Sequence, residues 1–117
     1  MSNVIHERDW GHWEIIAEKE PKIKIKELVI EPGGALSFQK HNKRNEHWFI
    51  LQGKCTILTQ DEIQKQERIY GPYETCVIPK GQWHQASNTF DEPCHILEVQ
   101  YGEICVEEDI ERRHVRF

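Results

Sequence analysis

No stretch of the sequence approaches the roughly 18 consecutive apolar residues that a membrane-spanning helix needs. The opening residues MSNVIHERDWGHW also lack the basic start, apolar middle and small-residue end of a secretory leader. The expected location is therefore the cytoplasm. Cysteine is sparse: Cys55, Cys76, Cys94 and Cys105 stand singly, without a C-x-x-C pair. That spacing argues against a disulfide framework or a thiolate zinc site, and Cys55 and Cys76, set in apolar runs, are expected as reduced core thiols. Positive charge is in deficit: 15 Lys and Arg face 20 Asp and Glu, for a net charge of −5, and no basic stripe breaks the mixture. This argues against a nucleic-acid binder held by phosphate contacts. No internal repeat, low-complexity tract or linker is visible, and 117 residues suffice for one core but not two.

What the chain does have is a series of short extended segments. KIKIKELVI (22–30) alternates Ile with Lys before turning apolar, as for a strand with one wet face. EPGG stops it, ALSFQKH begins the next, and HWFILQG is an aromatic and β-branched strand closed by Gly53. KCTILT leads into the polar QDEIQKQERI, read as a hairpin and a short strand. ETCVIPKG stops at Pro79 and Gly81, and CHILEVQYGE is the last clear strand. Only VEEDIERRHVR, acidic at its start as a helix N-terminus prefers, is expected to be helical. Six or more short strands at roughly ten-residue spacing predict an all-β sandwich or barrel. The expected layout is an arm over residues 1–15 anchored by Trp10 and Trp13, a barrel over 16–105 and a helical tail over 106–117.

Within FQKHNKRNEHWFILQG (38–53), an amide, an imidazole and a carboxylate precede an apolar run: Gln39, His41 and Glu46. Three polar groups facing inward without partners are costly. A metal ion would satisfy them. Gln39 and His41, two apart, share one face of a strand. Glu46 has the wrong parity for the same strand, but NKRN reads as a turn that returns Glu46 inward on the neighbouring strand. Trp48 and Ile50 then share its face, while His47, Phe49 and Leu51 take the other; His47 is read as packing or interface. A second segment, Pro79-x-Gly81-x-x-His84, sets an imidazole after a turn, and a rolled sheet can bring it opposite the first three. Gln39, His41, Glu46 and His84 would together offer one carbonyl oxygen, one carboxylate and two imidazole nitrogens to a divalent ion. Such donors without thiolate suit zinc, manganese, iron, cobalt or nickel, with zinc the first expectation. With a single anionic ligand the site keeps positive charge, which suits the polarising of a carbonyl.

These two segments resemble cupin motifs 1 and 2, with Gln39 where the first His usually stands. The closer resemblance is to the C-terminal cupin domain of type II phosphomannose isomerases. That family's LSLQxHxHRAEHW is mirrored by LSFQKHNKRNEHW, its RPWG-x-aromatic by RDWGHW, its PxGxxH by PKGQWH and its EVQxGxxxxEDDIxR by EVQYGEICVEEDIERR. The similarity runs over about residues 8–113. Two departures stand out. Lys43 replaces the second His of H-x-H, which makes Gln39 the expected fourth ligand. The usual Asp-x-Tyr/Phe-Gly-Arg ending does not follow Arg113, which would remove part of a substrate pocket. The nucleotidyltransferase domain that commonly precedes this cupin is not in the sequence, so pyrophosphorylase activity is not expected.

The resemblance implies a single-domain cupin, a double-sheet β-barrel with the site in its mouth. It also implies a homodimer, which would cover the outward aromatics Phe49 and Tyr73. The implied reaction interconverts mannose 6-phosphate and fructose 6-phosphate, or a related sugar, through an enediolate, with the metal holding the sugar's O1 and O2. Polysaccharide or sugar-nucleotide precursor synthesis is the implied setting. Such a reaction needs a base at the C1/C2 protons. Glu98 and Gln100 share one face of CHILEVQYGE, opposite His95, Leu97 and Val99, so Glu98 is the expected base and Gln100 a substrate contact. For the phosphate, Lys43 and Arg44 in the turn and Arg112 of the tail motif are the candidates. Cupins host many chemistries, so two other readings stay open: a noncatalytic sugar- or sugar-nucleotide-binding cupin, and a metal oxygenase.

Overall fold

Alternation along Arg44–Gln52 decides the architecture. Arg44, Glu46, Trp48 and Ile50 are buried while Asn45, His47, Phe49 and Leu51 face outward, so this stretch is one strand with a single inward face. The computed structural model describes residues 4–113, and every regular element in it is a strand. They are β1 (His6–Arg8), β2 (Gly11–Lys19), β3 (Ile23–Ile30), β4 (Phe38–Lys40), β5 (Arg44–Gln52), β6 (Cys55–Gln60), β7 (Lys65–Tyr70), β8 (Thr75–Ile78), β9 (Trp83–Ser87), β10 (Cys94–Gly102) and β11 (Glu111–Arg113). Two antiparallel sheets result, ordered β1-β2-β3-β10-β5-β8 and β11-β4-β9-β6-β7. Their inner faces close on one another as the expected double-sheet barrel. No helix of the described residues is long and apolar enough to cross a membrane.

Register then divides the barrel into a dry end and a polar mouth. On the inner face of the larger sheet, Ile50, Ile96 and Leu28 sit side by side on β5, β10 and β3. Two residues along, the row is Trp48, Glu98 and Lys26; two further, it is Glu46, Gln100 and Lys24. The apolar rows join Ile57 of β6 and Ala86 of β9 in the core, together with Cys55, Cys76 and Cys94. All four cysteines are free and buried, as read from sequence.

Turn chemistry sets the connections. Gly81 has φ of +84°, and Gln82 N–H donates to the Pro79 carbonyl at 3.2 Å. This is the type II arrangement that needs Gly at its third position, and it delivers the chain into β9. The β6–β7 hairpin closes on Asp61, whose Oδ1 accepts from the backbone of Ile63 and Gln64 at 2.8 and 2.9 Å.

Three expectations change. The segment read as the start of a helical tail is extended: Glu111, Arg112 and Arg113 pair with Lys40, Gln39 and Phe38 of β4. A helix that short is marginal alone, whereas the edge of the smaller sheet supplies ladder partners. Residues 114–117 of that expected tail, and 1–3 of the expected arm, lie outside the described residues. Most of the remaining arm is sheet, with His6 of β1 opposite Trp13 of β2; Trp13 is buried and Trp10 packs against the core. Finally, NKRN does not make a hairpin. β4 and β5 belong to different sheets, so Glu46 meets His41 across the barrel mouth rather than along one sheet.

Candidate metal and substrate site

Two imidazoles and a carboxylate meet at the mouth. One ligand atom each from His41, Glu46 and His84 lie within 4.8 Å of one another, and all three residues are buried. His41 Nε2 is 3.2 Å from Glu46 Oε2, and His84 Nε2 is 3.6 Å from Glu46 Oε1. Each ring is held from behind. His41 Nδ1 donates to the Asp109 carbonyl at 2.7 Å and His84 Nδ1 to the Gln82 carbonyl at 3.0 Å. A carbonyl only accepts, so the proton sits on Nδ1 and each Nε2 turns a lone pair toward Glu46. Burial, reinforced by His41 and Arg44, holds His84 down at about 4. Burial and then Arg44 lower His41 as well, so both rings are neutral at pH 7, the form that ligates.

His84 Nε2 is buried without a hydrogen-bond partner. An orphan of this kind costs about 1–3 kcal/mol. Two neutral imidazoles and a carboxylate aimed at one centre fit a divalent ion, which would remove that cost. Gln39 stands beside this group: it pairs with His84 in the β4–β9 register, lines the cavity and keeps only a 3.4 Å contact from the Ser37 hydroxyl to its Oε1.

Arg44 is not in an exposed turn. It opens β5, buried, and donates through Nε to Glu46 Oε2 at 3.0 Å, through Nη1 to the Val106 carbonyl at 2.9 Å and through Nη2 to His41 Nε2 at 3.3 Å. With Trp48 Nε1 on Glu46 Oε1 at 3.1 Å, both oxygens of the carboxylate are engaged. Lys43 is exposed and is not among the residues that wall the cavity.

The cavity beside the cage has a volume of about 560 Å³ and is walled in part by Trp10, Trp13, Lys26, Glu98, Gln100 and Arg112. Burial, with Glu46 close by, pushes Glu98 up to about 7 against the pull of Lys26 and Arg44. Gln100 Nε2 donates to Glu98 Oε1 at 2.7 Å. Arg112 stands exposed on β11, opposite Gln39. Sequence reasoning passed over Lys26, whose Nζ lies 2.7 Å from Glu107 Oε2 and 3.8 Å from the centre of the Trp13 ring. It also passed over Asp109, whose carboxylate takes the N–H groups of Asn42 and Lys43 at 3.0 and 2.9 Å and so staples the turn between His41 and Glu46. The signal for Lys26 was present: it shares parity with Leu28 and Ile30.

A two-sheet β-barrel with a buried His–Glu–His group at its polar mouth is a cupin. Within that class the chain belongs to the family described as mannose-6-phosphate isomerase C-terminal, whose model matches residues 2–114. It is 30% identical over 110 residues to mannose-1-phosphate guanylyltransferase 2 of Escherichia coli O157:H7, covering 94% of this chain and 22% of that protein. The xanthan biosynthesis protein XanB of Xanthomonas campestris pv. campestris is 31% identical over 105 residues, 90% of this chain and 21% of that one. The chain thus spans about a fifth of the length of the curated relatives it matches. In fold it is similar to the capsular polysaccharide assembling protein CapF of Staphylococcus aureus, with a TM-score of 0.84, 17% identity, and coverage of 98% of this chain and 33% of that one.

Proposed function

We propose that this domain is an aldose–ketose isomerase acting on a hexose phosphate, mannose 6-phosphate and fructose 6-phosphate being the first pair to test, and that its cage holds one divalent ion, zinc in first place. One observation carries the reading. Glu98, a buried carboxylate whose proton affinity lies near neutrality, faces the same cavity as His41 and Glu46 of the cage. A base that takes a proton from carbon beside a carbonyl works best with a pKa near the working pH. The chain's own residues divide the remaining work. Gln100 fixes the Glu98 carboxylate, Arg44 and Trp48 fix Glu46, and the Asp109 and Gln82 carbonyls aim the two imidazoles. His41, Glu46 and His84, with Gln39 beside them as a fourth donor, would hold an ion, which would supply Lewis acidity at substrate oxygens. The family's name supports the isomerase, and the names of the relatives support a setting in polysaccharide precursor synthesis.

The test is a coupled assay of the metal-loaded protein. Fructose 6-phosphate should form from mannose 6-phosphate, cease on chelation and resume when the ion is restored. Full metal occupancy with no turnover of any hexose phosphate would overturn the reading.

The Arg44 contact to His41 Nε2 at 3.3 Å favours a second reading, a noncatalytic sugar-binding cupin in which the guanidinium is the cage's resident cation. Its mark would be sugar binding that is the same with and without metal. In either case we propose a homodimer formed on the outer face of the larger sheet. There β5 and β10 turn out Phe49, Leu97 and Val99, and β8 adds Val77. Strands apolar on both faces are those covered on both faces. Light scattering should give twice the 14.0 kDa chain mass; a monomer would remove this proposal.

A further inference from the structure

Lys26 is an unusual wall for a cavity. Its side chain is only 5% exposed, and an ammonium so placed must be paired. Its partner, Glu107, is itself half in solvent and also reaches Lys24 at 3.6 Å; it comes from a segment with no regular secondary structure. Trp13 contributes the rest of the surroundings. Its ring meets the Lys26 ammonium at 3.8 Å and stacks on His6 at 3.8 Å, the two approaching from β3 and β1 on either side of β2. Arg8, from the rim, comes within 5.9 Å of the same ring. A permanently buried cation is therefore stabilised by an aromatic face and by one carboxylate that can leave without stranding its own charge.

Strand spacing places this cation at a definite span from the cage. Glu46 of β5, Gln100 of β10 and Lys24 of β3 form one cross-strand row, and Lys26 lies in the adjacent row, two residues along β3 and opposite Glu98. Two strand steps amount to about 10 Å, and the two-residue offset of Lys26 lengthens the span to about 12 Å. An extended six-carbon chain, five bonds of ~1.5 Å in a zigzag, spans about 6 Å end to end, and a phosphate ester at its end carries its oxygens further. A sugar with its carbonyl end at the cage thus ends at Lys26, with Glu98 alongside its length.

We propose that Lys26, backed by Lys24, is the seat of the substrate's phosphate, and that the Glu107 carboxylate occupies this seat until a phosphate displaces it. This rests on the sugar-phosphate reading above and supplies an anion contact within the cavity, which Lys43 does not wall. Arg112 belongs to the opposite sheet, beside Gln39.

The experiment is calorimetric titration of the metal-loaded protein with mannose 6-phosphate and with mannose. Lys26→Met should weaken mannose 6-phosphate binding by tenfold or more and leave mannose unaffected. Glu107→Gln, which leaves Lys26 unpaired and so should lower the Tm of the sugar-free protein, should tighten mannose 6-phosphate binding severalfold, because the competing anion is gone. Equal binding of the two sugars by the unaltered protein would remove the sugar-phosphate reading, and this seat with it. A preference for the phosphorylated sugar that persists unchanged in both variants, or that falls only in Arg112→Met, would remove the seat alone.

Discussion

His84 Nε2 stands 3.6 Å from Glu46 Oε1 and has no hydrogen-bond partner, although its ring is fully buried. The ring packs edge-on against Trp48, and on the proposed reading its free Nε2 serves an ion. His84→Ala should therefore abolish stoichiometric metal binding while circular dichroism still reports a folded β-barrel. Metal content measured after dialysis against a weak chelator checks this, and wild-type occupancy in the variant would contradict it.

Arg44 gives a test that runs in the opposite direction. Its guanidinium is the cation paired with Glu46, and removing one partner of a buried pair typically costs about 3–5 kcal/mol. Arg44→Met should lower the Tm of the metal-free protein accordingly. Metal should restore much of that loss, since the ion then neutralises Glu46. A Tm deficit that is the same with and without metal would show that Arg44 stabilises the barrel independently of the cage.

Asp109 would act at one remove from an ion held in the cage. Its carbonyl orients His41 and its carboxylate closes the turn leading to Glu46. Removing the carboxylate keeps that carbonyl but frees the turn around it, and loss of outer support of this kind typically costs about 10–100-fold in metal affinity. Asp109→Ala should show a loss in that range by competition with a fluorescent chelator. Asp109→Asn, which retains one accepting side-chain oxygen, should lose less.

Glu98→Gln should leave metal content intact and reduce isomerase turnover by about 10²–10⁴-fold. It also has a signature that does not depend on activity. Glu98 is raised from 4.5 to about 7 in the folded protein, mainly by burial, so the fold prefers it protonated. That contribution is complete below 4.5 and is lost as the pH rises through 7. Across this window the Tm of the metal-free variant should therefore gain steadily on that of the unaltered protein. A difference independent of pH would mean that Glu98 is not held in its neutral form.

Much of this was legible in the chain. Parity alone put Glu46, Trp48 and Ile50 inward together, and Glu98 with Gln100 on the inner face of β10. Turn chemistry located His84 just past Gly81. Other features were misread for physical reasons. The alternation of KIKIKELVI predicts a wet lysine face, yet parity with Leu28 and Ile30 carries Lys26 into the barrel, where Glu107, 81 residues away, neutralises it. VEEDIERR has the charge order of a helix start, but an open sheet edge at β4 outcompetes a short isolated helix.

Local chemistry determined which side chains turn inward, where the chain bends and which residue types are available as ligands, because side-chain period and turn geometry act over a few residues. Only the tertiary structure decided that β4 and β5 face each other across the mouth instead of pairing. Only it sent Arg44 into the cage while Lys43 stayed outside, and set Lys26 two strands from Glu46. Those outcomes depend on which strands become neighbours, and strand order is settled by packing two whole sheets around one core.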